Sequence, residues 1–428
     1  MRGVSAVLIL ALATGCSNRE RLNPLDPSNP TTHGSPTGFA AFAGDGYALI
    51  AWDPAGSADV AGYRLYRRVA PDPQFVALGG VLPPNVTEFQ DVGLANGVDH
   101  VYQLRFVVGD RLSLPAEDTA TPGPARPWVT DYAGASLLRI TPDARHVGER
   151  ALASFSGPTA LDVDPGTGQV WVCDYDGRRV GLYDPVNHSL VWVGSGLSPI
   201  AIAVDRSTGR AWVCDWDGGS LCRLDPAARG LPPACLSGFS HPISVAVDQA
   251  DGSVWVCEQS ADRVRHLTSD GSPLSAATVV SPSRVAVYAI TRSVWVTSFS
   301  ERRVVHLSPA GQPRDTVGGF QGPIGVATDS GGRVWVADAA GDQVVVLDAL
   351  GHVAFRVPGL SEAHAVAIDP VTGEAWITLP GIGAVARLDK NGGAQRRITG
   401  LRKPYEIALH RPRELASSAR SAAPAFLR

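Results

Sequence analysis

Trp171-Val172-Cys173-Asp174 contains one of seven pairs of a tryptophan and a following aliphatic residue that recur along this chain at nearly equal spacing. The tryptophans stand at positions 128, 171, 212, 255, 295, 335 and 376, so their spacing is 40 to 43 residues. A repeat of this period, built only from strand-like segments, is typical of a β-propeller, in which each repeat contributes one sheet to a ring. The sequence therefore predicts an all-β protein whose larger part is a propeller.

Each repeat has two further segments beside the tryptophan strand. One precedes it, as in Pro158-Thr-Ala-Leu-Asp-Val-Asp164, and the other follows it, as in Gln343-Val-Val-Val-Leu-Asp348. All three segments occur seven times but out of phase, because Trp128 lacks the preceding segment and Pro404–His410 lacks a tryptophan strand after it. We therefore predict that Pro404–His410 pairs with the Trp128 strand and closes a seven-bladed ring over residues 127–410. The alternative is a six-bladed ring with one complete repeat outside it.

The repeats resemble the NHL family. The resemblance rests on the proline and the Ala-Val-Asp of the first segment and on Trp171-Val-Cys-Asp174, Trp212-Val-Cys-Asp215 and Trp335-Val-Ala-Asp338. It implies that the repeated tryptophans pack between blades and that the aspartates hold turns. It implies no single activity, because the family includes protein-binding, RNA-binding and catalytic members.

Residues 37–122 lack the tryptophan period and contain short alternating strands, which predict a separate β-sandwich. Trp52-Asp53-Pro54, Gly62-Tyr63-Arg64-Leu65-Tyr66 and the segment 89–102 make this part similar to a fibronectin type III domain. His100 stands where that family has its corner tyrosine, so either His100 bonds to the main chain or Tyr102 supplies the aromatic packing. The resemblance implies a spacer or docking domain.

The first residues have the pattern of a targeting segment: Arg2, an apolar run over 4–13, and Ala13-Thr14-Gly15-Cys16. This resembles the lipobox of bacterial lipoproteins, which implies that residues 1–15 are a signal peptide and that acyl chains on Cys16 attach the protein to the membrane. Ser17 after the cysteine implies the outer membrane of the cell envelope. Residues 16–36 and 411–428 are poor in large apolar side chains, so we expect a disordered tether and a disordered tail.

Charge and motifs limit the function classes. The formal net charge is -4 and the arginines are scattered along the chain, so nucleic acid is not an expected partner. The chain contains no Gly-x-Ser-x-Gly, His-x-x-x-His or phosphate-loop signature. The leading prediction is therefore a binding scaffold for a protein or glycan partner, without a cofactor.

In a propeller, the loops before the inner strands and those after the tryptophan strands lie at one end of the channel, which is the default binding site. The first set of loops contains the candidates His241, Arg284, Glu362, His364, Arg402 and Lys403. The second set contains Asp174, Asp176, Asp215, Asp217, Glu258, Asp262, Glu301, Asp338 and Asp342. This mixture could bind a polar ligand or a cation, and it is equally typical of solvated turns.

The tryptophan strands are also similar to those of streptogramin lyases, and this resemblance implies histidine and glutamate near the channel together with Mg²⁺. His241 with Glu258 in the same repeat, and His364 elsewhere, are the nearest candidates for catalysis. The alternative function is therefore a metal-assisted lyase or hydrolase at the channel mouth, with Mg²⁺ or Ca²⁺ as its cofactor.

The cysteines after Cys16 predict one disulfide. Cys173, Cys214 and Cys257 occupy the same place in consecutive repeats, where the distance between blades is too large for a bridge. Cys222 can face Cys214 across one turn or Cys235 across the next, and an oxidising envelope permits either pairing. No Cys-x-x-Cys spacing indicates zinc.

Overall fold

The computed structural model describes residues 23–151, 154–228 and 232–411, without the side chains of residues 394 and 395. The predicted signal peptide, Cys16, the start of the tether and nearly all of the tail lie outside these residues. The chain divides into two compact units, Met1–Pro124 and Ala125–Arg428. Both consist of strands and turns, with short 3-10 turns at Gln259–Ala261, Ala339–Gly341 and Pro380–Ile382, so the all-β prediction is confirmed.

The first unit contains two sheets. Its strands are β1 Ala40–Ala43, β2 Tyr47–Ala51, β3 Gly62–Val69, β4 Val76–Ala77, β5 Glu88–Val92, β6 His100–Val108, β7 Arg111–Leu112 and β8 Ala116–Ala120. One sheet has the order β1-β2-β5, and the other has the order β4-β3-β6-β7 with β8 also paired to β6. Their inner side chains share one core, in which the ring centroids of Trp52 and Tyr63 are 5.3 Å apart. The alternation of buried and exposed residues along these strands gives each sheet one apolar face.

Of the two aromatic arrangements that the sequence leaves open, the structure contains the one with Tyr102. The Tyr102 ring is fully buried, and its hydroxyl donates a hydrogen bond of 2.9 Å to the Asp91 carboxylate. Arg67 binds the same carboxylate at 2.7 Å. Burial, reinforced by the negative charge of Asp91, raises the pKa of the Tyr102 hydroxyl, so it remains a donor.

The prediction of a disordered tether is wrong for residues 23–36, which form consecutive turns. The Asn29 side chain accepts hydrogen bonds from the main-chain N–H groups of Thr31 and Thr32 at 2.9 and 3.2 Å. Leu25 packs against the core of the first unit, and the Leu114 N–H donates to the Gly34 carbonyl at 2.9 Å. Composition alone misses this segment, because it needs no core of its own when side chains satisfy its turns and one leucine docks on an existing core.

The second unit is built from four-stranded sheets. The first is β36-β9-β10-β11, made of Pro404–His410, β9 Arg126–Asp131, β10 Ser136–Ile140 and β11 Val147–Arg150. The second sheet contains β12 Pro158–Val163, β13 Val170–Asp174, β14 Arg179–Asp184 and β15 Ser189–Ser195. The third contains β16 Pro199–Val204, β17 Ala211–Asp215, β18 Ser220–Leu224 and β19 Ala234–Ser237. The fourth contains β20 Pro242–Val247, β21 Val254–Glu258, β22 Arg263–Leu267 and β23 Pro273–Thr278. The last three are β24 Pro282–Val287, β25 Val294–Ser298, β26 Arg303–Leu307 and β27 Pro313–Val317; β28 Pro323–Thr328, β29 Val334–Asp338, β30 Gln343–Leu347 and β31 Val353–Pro358; β32 Val366–Ile368, β33 Ala375–Leu379, β34 Ala384–Leu388 and β35 Ala394–Ile398.

These seven sheets of the described residues form a closed ring. The inner strands contact one another in the order β12, β16, β20, β24, β28, β32 and β36, and β36 in turn contacts β12. The strand β36 pairs with β9 in antiparallel register, with Ile407 opposite Val129 and Ala408 opposite Trp128. The two ends of the repeat region therefore complete one sheet, as the phase of the segments predicted.

The tryptophans set the period because each one fills the space between neighbouring sheets. The seven side chains are only 0% to 3% exposed. Trp171 of β13, for example, lies in one core with Val204 of β16 and Val213 of β17. A large aromatic side chain at the same place in each repeat thus packs one sheet on the next. Among the residues that the structure describes, no helix has the length and apolar content of a membrane span.

Candidate functional site

The loops before the inner strands and those after the tryptophan strands meet at one end of the ring, which we call the mouth. The acid that ends a tryptophan strand joins the two loops of its sheet. Asp174 Oδ1 accepts hydrogen bonds from the N–H groups of Ser156 and Gly157, both at 2.8 Å, and Glu258 Oε2 accepts one from Ser240 at 3.0 Å. Asp131, Asp215 and Asp338 make the same bonds in their own sheets.

These bonds correct the interpretation of the mouth acids as one ligand-binding set. The carboxylates of Asp174, Asp215, Glu258 and Asp338 are buried and hold loops. Asp262 and Asp342 are also engaged, since they accept hydrogen bonds from the main-chain N–H groups of Ser281 and Glu362. Glu301 pairs with Arg303 at 3.3 Å. Asp176 and Asp217 have exposed side chains at the mouth.

The structure does not bring His241 and Glu258 together. Glu258 is fully buried and pairs with Arg263 at 2.9 Å and with Arg265 at 2.5 Å. His241 is exposed, and its Nδ1 lies 2.8 Å from the Ser260 hydroxyl. No hydrogen bond or ion pair joins the two side chains within the described part of the chain. The catalytic pair suggested by the sequence is therefore wrong, because two arginines already neutralise Glu258.

His364 has a fixed tautomer. Its Nδ1 lies 2.9 Å from the main-chain oxygen of Tyr405, and a carbonyl can only accept, so Nδ1 carries the proton and Nε2 is left as an acceptor. Burial, reinforced by the positive charge of Arg284, lowers the pKa of His364 to about 3. The imidazole is therefore neutral at physiological pH.

The central channel encloses a cavity of about 140 Å³, lined by residues from all the inner strands. Six of these strands present their third residue at one level of the channel, and β32 presents the residue just before it: they are Ala160, Ala201, Ser244, Arg284, Gly325 and Glu406, with Ala365 for β32. Five of them are small, whereas Arg284 Nη2 and Glu406 Oε2 form an ion pair of 3.1 Å across the channel. Arg284 was predicted at the mouth, but its guanidinium lies in the channel and also donates to the Ile243 carbonyl at 3.2 Å. Burial raises the pKa of Glu406, and the charge of Arg284 opposes this shift.

Small residues lie at the level of this pair in the two intervening sheets. Arg284 and Glu406 belong to sheets separated by the β28 and β32 sheets, which contribute Gly325 and Ala365 at the same level. A Cβ on Gly325 would come within 2.2 Å of the His364 carbonyl oxygen. Glu406 was missed by the sequence analysis, although a comparison of the seven copies at this one position would have revealed two charged residues among small ones.

Aromatic side chains follow the acid at the end of several tryptophan strands. They are Tyr132, Tyr175 and Trp216; Phe299 stands at the same place after Ser298, and all four are partly or fully exposed at the mouth. The ring centroids of Tyr132 and Tyr405 are 6.0 Å apart, and those of Trp216 and His241 are 4.7 Å apart. Sequence analysis missed these aromatic residues because it compared the acids of the loops and not the residues beside them.

The remaining mouth candidates lie near this aromatic set. Lys403 is exposed, and its Nζ lies 5.5 Å from the Tyr132 ring centroid and 5.9 Å from that of Tyr405. Arg402 and Glu362 are also exposed. His241 and Ser281 have a positive φ, 48° and 45°, directly before their inner strands, and Glu362 has one of 51° in the loop before β32. A left-handed conformation of a non-glycine residue is uncommon and is found preferentially in binding loops.

The cysteines pair in one of the two ways that the sequence left open. Cys222 of β18 is bonded to Cys235 of β19, and the two are opposite each other in the strand register. Cys173, Cys214 and Cys257 are buried free thiols, and burial raises the pKa of each. They occupy the place that Thr130, Thr297 and Thr378 occupy in other sheets, so they fill space in the ring and have little thiolate character.

Within the described residues, no group of three or more His, Cys, Asp or Glu side chains has an arrangement that could hold a metal ion. The Mg²⁺ or Ca²⁺ of the lyase alternative therefore has no ligand set in this part of the chain.

Comparison with solved structures shows the fold. Virginiamycin B lyase from Staphylococcus aureus is 15% identical with a TM-score of 0.50, covering 57% of this chain and 84% of its own. A streptogramin B lyase is 15% identical with a TM-score of 0.52, covering 59% and 87%. A functionally unknown protein from Desulfotomaculum acetoxidans is 12% identical with a TM-score of 0.56, covering 67% and 99%. Neither a protein-family profile nor a curated protein sequence matches the chain. At this identity the likeness shows a β-propeller fold and no activity.

Proposed function

We propose that this chain is a lipid-anchored protein of the bacterial cell envelope whose propeller binds a protein or glycan partner at the mouth. The observation that carries the proposal is the set of exposed aromatic and polar side chains on loops fixed by buried carboxylates, such as Asp174 under the loop of Gly157. Aromatic residues on rigid loops bind partners with a small loss of conformational entropy. In this proposal the NHL-like repeats form the scaffold, and the fibronectin-like unit is a spacer.

The metal-assisted lyase or hydrolase alternative has less support. Two solved structures of similar fold are lyases, but His241 and Glu258 of this chain bond to different partners and the described residues offer no metal ligand set. A single imidazole with an accepting Nε2, that of His364, is a weaker basis for a reaction than the mouth is for binding.

Anchoring is proposed from Ala13-Thr14-Gly15-Cys16, with the outer membrane as the destination. Radiolabelled palmitate should enter the wild-type protein and should be absent from Cys16→Ser, because the cysteine thiol is the acceptor of the lipid. The labelled protein should also lack residues 1–15. Equal labelling of the two proteins would exclude a lipoprotein.

Binding at the mouth is tested with the Cys16→Ser protein, which remains in solution, and with isolated envelopes of the producing cells. The double variant Trp216→Ala/Tyr132→Ala should co-sediment with the envelopes at least about tenfold more weakly than the parent protein, because the two rings supply contact area. The matched control is Ile290→Ala/Val371→Ala, whose side chains are 70% and 72% exposed in turns at the opposite end of the ring. Equal binding of all three proteins would show that the mouth is not the binding surface.

A further inference from the structure

Contacts link the aromatic residues of the mouth into one continuous surface. We call it the mouth arc and define it by His364, Tyr405, Tyr132, Tyr175, Trp216 and His241. His364 and Tyr405 have ring centroids 4.2 Å apart, and the next ring is Tyr132 at 6.0 Å from Tyr405. These residues come from the β32 and β36 sheets, so the arc begins where the ring closes.

Hydrogen bonds to carboxylates extend the arc across the following sheets. The Tyr132 hydroxyl donates to Asp176 at 2.9 Å, which connects the first sheet to the loop that holds Tyr175. Arg178, in the loop of Tyr175, donates to the Ser198 hydroxyl at 3.1 Å, and that hydroxyl donates to Asp217 at 2.8 Å, which connects this loop to the next sheet. The loop of Asp217 also holds Trp216, whose ring contacts His241 of the β20 sheet. The arc therefore spans five of the seven sheets.

We propose that the mouth arc binds a neutral polysaccharide. This proposal rests on the proposed binding function and specifies its partner. The negative faces of aromatic rings attract the C–H groups on the apolar face of a pyranose ring, so successive sugars can stack on successive rings. The carboxylates between the rings accept hydrogen bonds from sugar hydroxyls, which lie at the edge of the same pyranose.

The polar groups of the arc favour a neutral sugar. The exposed acids at the mouth near the arc are Asp176, Asp217 and Glu362, and the exposed cations are Arg178, Arg402 and Lys403. Three negative and three positive groups along one surface balance each other, so neither an acidic nor a basic polymer gains a net attraction.

The presence of both rings and polar groups along the arc favours a polysaccharide over a protein. Protein hot spots lie in contiguous pockets from which water is excluded. At two steps of the arc a hydrogen-bonded polar group replaces a ring contact, as Asp176 does between Tyr132 and the loop of Tyr175, and such groups would lose water without apolar compensation in a protein interface. A sugar presents an apolar face that can stack on a ring and hydroxyls that can bond to the acids beside it.

The test uses envelopes of the producing cells in three forms: untreated, oxidised with periodate, and digested with proteinase K. Periodate cleaves the vicinal diols of sugars, whereas the protease removes protein partners. We expect periodate to abolish co-sedimentation of the Cys16→Ser protein and protease to leave it unchanged. Trp216→Ala and Tyr175→Ala should each weaken binding to untreated envelopes about tenfold, while Trp216→Phe, which keeps a ring, should bind nearly as the parent does.

The other outcomes overturn the proposal in distinguishable ways. Binding that depends on the mouth but resists periodate and is lost with protease would assign a protein partner, which leaves the proposed function intact. Loss of co-sedimentation after periodate and also after protease would assign a glycoprotein and exclude a free polysaccharide. Co-sedimentation that survives both treatments would exclude a polysaccharide and a protein alike. Binding that no mouth variant weakens would overturn the polysaccharide and the proposed function together. The melting temperature of each variant shows that it is folded.

Discussion

Arg284→Met is expected to lower the free energy of unfolding by about 3 kcal/mol at neutral pH, because it leaves the Glu406 carboxylate unpaired inside the channel. Arg284 supplies the positive charge 3.1 Å from Glu406, and both side chains are mostly buried, at 15% and 19% exposed. The neighbouring inner strand adds Asp162, whose negative charge disfavours ionisation of Glu406 further. Urea denaturation of the whole chain measures the effect.

The loss of unfolding free energy caused by Arg284→Met should depend on pH. Burial holds the pKa of Glu406 above its ordinary value of 4.5, so the folded protein binds this proton more tightly than the unfolded chain. The stabilisation that comes from this tighter proton binding is therefore complete below the ordinary pKa of 4.5. It is lost as the pH rises through the pKa that Glu406 has in the folded protein. Removal of the arginine raises that pKa further. The difference between variant and wild type should be small at pH about 4 and large at pH about 8.

The double variant Arg284→Met/Glu406→Gln is the control. It has no unpaired charge in the channel, so it should recover most of the stability, and its difference from wild type should vary little with pH. A single variant as stable as wild type at neutral pH would show that the channel pair is solvated and of little energetic weight. A double variant as unstable as the single one would assign the loss to packing of the arginine stem.

The fold was predictable because it depends on features that recur. The spacing of Trp171 and its equivalents shows the repeat, and the missing segment before Trp128 shows that the chain ends must pair. Neither inference needs side-chain geometry, since a buried tryptophan in each repeat and the phase of the strands are sufficient. The turns of residues 23–36 were not predictable in this way, because they depend on docking to another part of the chain.

The site was predictable only in its location. The loops of the mouth follow from the topology, but the roles of their acids depend on which loop each carboxylate reaches. Glu258 and Asp176 are both acids at the mouth in the sequence, yet one is buried between arginines and the other is exposed beside Tyr132. The sequence alone does not give these partners, because Glu258 meets arginines of β22 in its own sheet whereas Asp176 meets Tyr132 of the neighbouring sheet. The departure of Arg284 and Glu406 from a series of small residues was present in the sequence and is the signal that was overlooked.

Deletion of residues 404–428 is expected to abolish cooperative unfolding of the ring. It removes β36, which pairs with β9 and contacts β12 and β32, so it exposes the edge of the Trp128 strand and opens the ring. Ile407 is 4% exposed and lies in one core with Val129 and Trp376, so the core between the first and last sheets is also lost. We expect the loss to be of the order of a whole domain's stability, about 5–15 kcal/mol, with aggregation through the exposed edges.

The matched control is deletion of residues 412–428, which should melt cooperatively near the wild-type temperature. It retains every strand bond of β36 and the ion pair of 3.0 Å between Arg411 and Asp369. A synthetic peptide of residues 402–411 should restore the melting transition of the longer deletion, because an exposed strand edge accepts an added strand by main-chain hydrogen bonds. This rescue separates loss of closure from a general failure to fold. If the longer deletion melts like the wild type, the ring does not depend on β36, and a six-bladed ring with free ends becomes the better description of the chain.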